Sequence, residues 1–477
     1  MQKKYRVPLC LGLAIALASI AFQVADYGSD AANRCHSLLI LVIILWITNC
    51  FPLFITTLFV PVAAVLLNVM RDDMTGMLLD APDAAHQLIS AMMASSVLVI
   101  LSAFALAICH QRYTASWIQD NAVIRKVSKK PLWLVLLAIA MTWSFSIFLP
   151  NISTAAITYS IFSHRLRGQM LPLNVSKALI IGVVMAGDLG GMLTPVSSPQ
   201  SIMAYELLKD EHKDLTWLTW LKISSPVAFL STAFAWLLIS FVYGLFKAEA
   251  FPEKVEVLYE GPEQEPWPVW KIWAVLILTI TTLVFWIASA WILPVFGSLG
   301  VISLIPFIAT FVFELLKPED LSLLPWDIIL LVMGVVSLTE ATRSSGLLEA
   351  VGLKVTRYLG GYSFWVQATA ICFVIILFAT FKSRLISASI FVPMLMAFAS
   401  SFEGPINGLR LSLLASLATS CGLAMPFSGF VNARMVAVAD GDGQPILDIT
   451  DFLKIGIPVS LVAYGLLLSF GYLFFDV

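Results

Sequence analysis

The chain alternates long apolar runs with short polar segments, which is the pattern of a protein that crosses a membrane many times. A helix needs about 20 mostly apolar residues to cross the hydrocarbon core of a bilayer. Windows of that length predict about eleven crossings and hence an all-α polytopic membrane protein. The windows lie near 7–25, 36–50, 53–70, 88–109, 175–194, 217–246, 268–293, 299–316, 323–342, 408–425 and 452–474.

Two further apolar regions, 132–163 and 363–401, are each split in the middle by polar residues. The first is interrupted from Pro150 to Thr154, and the second is interrupted from Lys382 to Arg384. Polar and charged residues in the middle of a simple span are costly, so they need another explanation. We expect both regions to be re-entrant hairpins, which enter and leave the membrane on the same side.

Two polar stretches rich in Pro, Gly and Ser interrupt apolar helices at matching places in the two halves of the chain. One runs from Thr194 to Gln200 within a predicted broken helix at 175–208, and the other runs from Met425 to Asn432 within 408–439. Unpaired backbone groups are tolerated in a membrane only where protein or a water-filled cavity surrounds them. A pair of such breaks indicates the binding site of a transporter.

Matching landmarks predict two halves of inverted topology, at 1–246 and 268–477, joined by a cytoplasmic linker at 247–267. A shared offset with an odd number of crossings between the copies is typical of an inverted repeat. The paired landmarks are Arg112 with Arg343, Pro195 with Pro426, and Pro150 with Ser383, at offsets of 231, 231 and 233 positions.

Loop charge predicts a cytoplasmic N-terminus, an inward first hairpin and an outward second hairpin. The loops at 26–35 and 70–86 are richer in acids than in bases, and basic residues favour the cytoplasmic side. Arg343, Lys354 and Arg357 fall outside in this layout and fit it less well. The connection at 110–131 carries Arg112, Arg125, Lys126, Lys129 and Lys130.

Composition narrows the classes of function. The chain is 59% hydrophobic and 12% charged, with a mean hydropathy of +0.91 and a net charge of −2, so no basic face for nucleic acid is indicated. The six cysteines form no CxxC pair or Cys/His cluster, so they indicate neither a metal site nor a disulfide framework. No HExxH, GxSxG or nucleotide-binding loop is present, so we expect neither an enzyme nor a cofactor.

The segment from Ile44 to Pro61 resembles an early signature of the divalent-anion/sodium symporter family, in which the position of Asn49 is usually a glutamate. The stretches from Pro195 to Gln200 and from Pro426 to Asn432, with the region around Asp440 to Asp451, are similar to the fungal low-affinity phosphate permease branch. The resemblance covers nearly the whole chain. It implies an inverted-repeat transporter that moves one rigid unit against a scaffold, and a homodimer whose contact lies on the early spans.

In the first half, the resemblance implies a cation site formed by Ser146, Asn151 and the backbone around Ser197, with the substrate beside Asn151 and Ser198. The family's Ser-Asn-Thr motif is replaced here by Pro150-Asn151-Ile152. The alternative is that the proline only kinks the hairpin and Asn151 satisfies its own backbone.

In the second half, the resemblance implies a cation site at Ser383 and near Ser428, and substrate contacts at Ser383, Arg384 and Gly429. The family motif here reads Ser383-Arg384-Leu385, and arginine does not lose its charge in proteins, so it would repel a sodium ion. We hypothesise that Arg384 replaces one coupling cation and binds the anion directly, because its fork matches phosphate and carboxylate oxygens. The alternative is that Arg384 faces water at the hairpin tip or pairs with an acid.

Asp188 is an acid inside an apolar span, and intramembrane acids are functional candidates by default. Asp188 could pair with Arg384, or it could carry a coupling proton. A purely structural salt bridge is the further alternative.

These observations predict a cation-coupled secondary transporter of a small oxyanion in a multi-pass membrane protein of the plasma or inner membrane. Phosphate is the first candidate, with sodium as the family's coupling ion, and the expected partners are the anion, the lipid bilayer and a second copy of the chain. The alternatives are a di- or tricarboxylate or sulfate transporter or exchanger with reduced sodium dependence, and an anion channel. A channel would present rings of pore-lining charges, and no such series appears.

Overall fold

The structure is a computed structural model that describes residues 3–48, 50–72, 74–119, 130–167, 171–211, 215–250, 267–359, 361–399, 405–439 and 443–475. Helices dominate this part of the chain. In the first half they are α1 (Lys3–Val24), α2 (Asp30–Thr48), α3 (Leu53–Leu66), α4 (Ala81–Met92), α5 (Ser95–Cys109), α6 (Ala115–Gln119), α7 (Pro131–Phe145), α8 (Asn151–Arg167), α9 (Leu173–Gly190), α10 (Pro199–Glu211) and α11 (Trp217–Val242). In the second half they are α12 (Val269–Ile287), α13 (Ser289–Phe296), α14 (Leu299–Val312), α15 (Trp326–Ser344), α16 (Leu347–Leu359), α17 (Phe364–Phe381), α18 (Arg384–Ala399), α19 (Pro405–Thr419), α20 (Phe430–Val436) and α21 (Ile449–Phe475).

Short polar residues begin several of these helices. The side chain of Thr216 accepts a hydrogen bond from the Thr219 N–H at the start of α11, and Ser298 does the same for Val301 at the start of α14. Such caps satisfy backbone N–H groups that the first turn of a helix leaves unpaired. The apolar sequences that follow these caps form helices, because a helix pairs the backbone groups of its interior within itself, as a membrane requires.

The described residues contain seven helices that are long and apolar enough to cross a membrane, or eight when the bent pair of α15 and α16 counts as one span. The axes of that pair differ by 71°. Four of the predicted windows coincide with the shorter apolar helices α1, α3, α14 and α19. A polytopic all-α membrane protein is confirmed, whereas the number of crossings stays a prediction.

The helices pack mainly in two groups. In the first, which we call the scaffold group (α1–α5 and α12–α15), α3 packs against α15 and α5 packs against α14. In the second, which we call the carrier group (α7–α11 and α17–α21), α7 packs against α9, α18 against α19 and α11 against α21. α6 and α16 contact α8 and α18 of the carrier group. At the centre of the scaffold group, a Cβ built at Gly334 would lie 2.4 Å from the Cβ of Thr57, so α3 and α15 approach as closely as they do because Gly334 has no side chain.

Each predicted hairpin corresponds to two consecutive helices in contact, α7 with α8 and α17 with α18. Their re-entrant course, and the inverted relation of the two halves, stay predictions. Most of the predicted linker lies outside the described residues, at 251–266. So do Asn49, the end of the second hairpin at 400–401, the residue at 440, and the basic loop residues Arg125, Lys126 and Lys129.

A salt bridge joins the two halves outside the predicted spans. Both outer nitrogens of Arg112 donate to the carboxylate of Asp320, at 2.6 and 2.8 Å. Asp320 lies in a 3₁₀ turn between α14 and α15, and it also accepts from the Lys317 N–H at 2.7 Å. The Arg112 guanidinium lowers the pKa of Asp320 to about 2 because its hydrogen bonds favour the charged carboxylate. This pair fixes the loop to the cytoplasmic end that we predict for α5.

Candidate functional site

The site is built where two helices of the carrier group are broken. α9 ends at Gly190, a 3₁₀ turn follows at Pro195–Ser197, and α10 begins at Pro199. In the second half, α19 ends at Thr419 and α20 begins at Phe430. Proline lacks the N–H that would continue a helix, which explains why both breaks contain it.

Hydroxyl groups join the two helices of the first hairpin. Thr142 donates to Thr158 at 2.9 Å, and Ser146 and Thr154 share a hydrogen bond of 3.0 Å. Residues four apart lie on the same face of a helix, so one hydroxyl face of α7 meets one hydroxyl face of α8. All four side chains are buried. Hydrogen bonds between hydroxyls are a known means of joining helices in a membrane without placing a charge there. We call these four residues the hydroxyl ladder.

The first broken helix is fastened to the end of this ladder. The hydroxyl of Ser197 donates to the Ser146 carbonyl oxygen, and Thr194 donates to the Ile147 carbonyl at 2.9 Å. Thr194 and Ser197 also bond to each other at 2.7 Å. The residues predicted for the first cation site, Ser146, Asn151 and Ser197, therefore lie around one turn, which is rich in hydroxyl and carbonyl oxygens.

Asn151 and Ser198 meet at the end of α9. A Cβ built at Gly191 would lie 2.9 Å from Nδ2 of Asn151, and the Ser198 hydroxyl donates to the Gly191 carbonyl at 2.9 Å. A Cβ at Gly190 would lie 2.7 Å from the Cβ of Ser146. The two glycines therefore let the hairpin turn approach α9 closely. Oδ1 of Asn151 accepts the next backbone N–H at 2.9 Å, which is the local role that the alternative interpretation predicts for this residue.

The second half contributes a buried arginine. Nη2 of Arg384, at the start of α18, donates to Oδ1 of Asp188 at 2.5 Å and to Oδ1 of Asn432 at 3.1 Å. Its backbone N–H donates to the Ser428 carbonyl at 3.0 Å. The guanidinium lies against Gly429, where a Cβ would be 1.6 Å from Nη2. The side chains of Arg384 and Asp188 are 2% and 0% exposed, so the alternative in which Arg384 faces water is wrong and the pairing with Asp188 is observed.

The ion pair connects the two clusters. Asp188 is on α9, two residues before Gly190, so the pair places the second hairpin beside the first broken helix. A Cβ built at Gly187 would lie 3.4 Å from Val431 of α20 and 3.5 Å from the Asn151 carbonyl oxygen. The ends of both hairpins and of both broken helices therefore converge on one turn of α9.

The arrangement is suited to binding an anion and a small cation. A buried guanidinium offers N–H donors in a fixed fork, which matches the oxygens of phosphate or a carboxylate. The ladder end offers neutral oxygens, which are the ligands that small cations find at broken transporter helices. Among the described residues, no three His, Cys, Asp or Glu side chains lie close enough to hold a metal ion together.

Ser383 lies in the turn between α17 and α18, where its carbonyl accepts from the Ser387 N–H at 2.9 Å and from the Ser387 hydroxyl at 2.8 Å. The sequence did not single out Asn432, which holds the Arg384 side chain and donates to the Met425 carbonyl at 3.1 Å. Its position three residues after Gly429, on the same side of α20, is the signal that could have identified it.

Comparisons with known proteins cover nearly the whole chain. A family model described as the sodium:sulfate symporter transmembrane region matches residues 3–477. The inorganic phosphate transporter PHO87 of Saccharomyces cerevisiae is 27% identical over 97% of this chain and 49% of its own length. The low-affinity phosphate transporter PHO90 of the same yeast is 27% identical over 96% of this chain and 51% of its own. A sodium-dependent high-affinity dicarboxylate transporter 3 of Caenorhabditis elegans is 21% identical over 94% of this chain and 84% of its own.

This chain spans about half the length of the two yeast relatives. The family model, in contrast, covers nearly all of it, including both hairpins, both broken helices and the residues of the site. The chain therefore belongs to the sodium:sulfate symporter family and is an integral, multi-pass membrane protein.

Proposed function

We propose that this chain is a secondary active transporter of a small oxyanion, with inorganic phosphate as the first candidate. One observation carries the proposal: the Arg384 guanidinium is buried where two broken helices meet, inside a membrane protein. A buried charge of this kind is expensive in a membrane, and where it occurs it usually belongs to the path of a substrate or ion. The names of the two yeast relatives support phosphate as the anion.

In this proposal the anion lies between Arg384, Asn151 and Ser198. Nη1 of Arg384 is buried and makes no hydrogen bond to any described residue, so a donor is available to the substrate oxygens. Bidentate contacts between arginine and phosphate add both strength and orientation. Ser383 and Gly429 line the same region from the second half, with Gly429 leaving the space that the guanidinium fills.

We place one sodium ion at the end of the hydroxyl ladder, among the oxygens of Ser146, Asn151 and Ser197. The family description includes sodium, and this cluster is the uncharged, oxygen-rich part of the site. The corresponding place in the second half is at Ser383 and Ser428. The Ser428 carbonyl accepts from the Arg384 backbone N–H, and the next residue, Gly429, lies against the Arg384 guanidinium. A fixed positive charge there takes the place of a second sodium ion, so we expect transport to depend on one sodium ion at most.

Movement in this proposal is of the elevator type, in which the carrier group slides as a unit against the scaffold group. The ion pair and the ladder hold the two hairpins and both broken helices within the carrier group, so the whole site would travel together. We expect the scaffold group to form the contact of a homodimer. No residue of the site has a catalytic part in this proposal.

A dicarboxylate or sulfate is the second candidate substrate. The C. elegans relative is named as a dicarboxylate transporter, and a guanidinium binds carboxylate and phosphate oxygens by the same geometry. Asn151, Ser198 and Arg384 do not distinguish between these anions by charge alone.

The test is uptake by the purified chain in liposomes, with and without sodium, of radiolabelled phosphate and, in parallel, of radiolabelled sulfate, succinate and citrate. We expect saturable phosphate uptake, and an increase of more than about tenfold in apparent KM for Arg384→Gln, since each 1.4 kcal/mol of lost binding is tenfold. Arg343→Gln is the matched control, because Arg343 is 57% exposed and pairs with Glu340 at the surface. Uptake by Arg384→Gln equal to that of the control would show that Arg384 does not bind the anion. Absence of phosphate uptake, with uptake of succinate or sulfate, would identify the second candidate.

A further inference from the structure

The Asp188–Arg384 pair is neutral as a whole, yet each partner keeps one buried polar atom unused. Oδ2 of Asp188 and Nη1 of Arg384 have no hydrogen-bond partner among the described residues. Buried polar groups are almost always hydrogen-bonded, so such exceptions need an explanation. Here the two unused atoms belong to the same ion pair, at the point where the anion is proposed to bind.

An anion on Arg384 would bring a second negative charge to the guanidinium that already neutralises Asp188. Arginine cannot respond by losing its proton. A buried carboxylate that loses its counter-ion is strongly destabilised unless it becomes neutral. Asp188 is therefore the group that has to change its charge when the anion arrives.

We propose that Asp188 takes up one proton when the anion binds to Arg384 and releases it when the anion leaves. The proton adds to a carboxylate oxygen of Asp188 and forms an O–H bond, while the ion pair between Oδ1 and Nη2 opens. The freed guanidinium N–H groups then donate to the anion. The net charge of the pair rises from zero to +1 and balances one negative charge of the substrate. This inference rests on the proposed function, and it makes the anion travel with a proton.

Arg384 is the charged side chain that contacts Asp188. α7, α8, α11, α20 and α21 pack against α9, and α7 carries no titratable residue. The thiol of Cys421 lies near Arg384 and is fully buried. α8 ends in His164, Arg165 and Arg167, about three and a half turns beyond Asn151, and their side chains are outside the described part. The remaining charged side chains on these helices are exposed, at Lys222, Arg434 and Lys454, or paired, at Asp451 with Lys177.

The test measures protons carried per phosphate. The protein is placed in liposomes with the same sodium concentration on both sides and the pH dye pyranine inside, the membrane potential is clamped, and internal acidification is compared with radiolabelled phosphate uptake. Phosphate itself carries protons, so the wild type and the variants are compared at the same internal and external pH. We expect the wild-type protein to carry one more proton per phosphate than Asp188→Asn. Asp448→Asn is the matched control and should keep the wild-type ratio, because Asp448 is 69% exposed.

A second measurement covers the case in which Asp188→Asn does not fold. Infrared difference spectroscopy of the wild-type protein should show a protonated carboxyl C=O stretch that appears when phosphate is added. Phosphate-bound protein without that band, or an unchanged proton ratio in folded Asp188→Asn, would overturn the inference. A strict sodium requirement with no extra proton would also overturn it, since sodium would then compensate Asp188. Absence of any wild-type uptake of phosphate, sulfate or succinate would instead refute the proposed function.

Discussion

Gly429 leaves no room for a side chain beside the Arg384 guanidinium, and Gly429→Ala therefore tests the site without removing any charge. The added Cβ would lie 1.6 Å from Nη2 and 2.4 Å from Cζ of Arg384, which no adjustment of a few tenths of an ångström can relieve. The backbone of Gly429 is extended, at φ −154° and ψ 165°, so alanine meets no backbone strain there. The substitution should act only by moving the guanidinium away from Asp188 and Asn432.

We expect this displacement to weaken anion binding by about 2 kcal/mol, the lower end of the range for loss of a buried, hydrogen-bonded charge contact, because the charge is moved rather than deleted. That corresponds to about a thirtyfold increase in apparent KM for phosphate uptake in liposomes. The matched control is Gly465→Ala, since a Cβ at Gly465 meets no atom within 4 Å and α21 is helical there. An apparent KM of Gly429→Ala within twofold of the control would refute the assignment of Arg384 as the anion ligand.

Three further predictions concern the first half and the loop salt bridge. Gly191→Ala should displace the Asn151 side chain and raise the sodium concentration that gives half-maximal phosphate uptake, whereas Gly465→Ala should not. Ser197→Ala removes a buried hydroxyl that is bonded to the hairpin turn, so we expect a loss of about 1–3 kcal/mol of unfolding free energy, measured by thermal unfolding in detergent, together with weaker sodium dependence. Because the pKa of Asp320 is lowered to about 2, its salt bridge with Arg112 stabilises the fold above the ordinary carboxyl pKa and is lost as pH falls toward 2. The difference in melting temperature between wild type and Asp320→Asn should therefore be largest above pH 4 and shrink below it, and a difference that grows on acidification would contradict this account.

The helix breaks and the polar residues of the site could be predicted from sequence because the membrane makes their patterns conspicuous. A proline, a cluster of serines or an arginine inside an apolar run has few acceptable explanations where water is absent. Asn151, Ser198 and Arg384 lie in such interruptions, whereas Ser146 was implied only by the family resemblance, and the structure buries each of the four.

Pairings between distant positions could not be predicted in the same way. Asp188 and Arg384 are 196 positions apart, and the sequence left open whether Arg384 meets an acid, the anion or water. The hydroxyl ladder was not predicted, because Thr142 and Thr158 lie in apolar runs that membrane crossing alone would account for. The number of membrane crossings also cannot be predicted from hydropathy alone, because helices such as α3 and α14 are apolar but shorter than a full span.

The hydroxyl ladder and the neutral ion pair have an electrical consequence. Threonine and serine carry no formal charge, and the charges of Asp188 and Arg384 cancel, so this unloaded site presents no net charge to the membrane voltage. Moving one elementary charge through 100 mV is worth about 2.3 kcal/mol, and at this site that energy would act only on whatever ions have bound. The charge moved across the membrane per anion transported would then equal the summed charge of the anion and the ions bound with it.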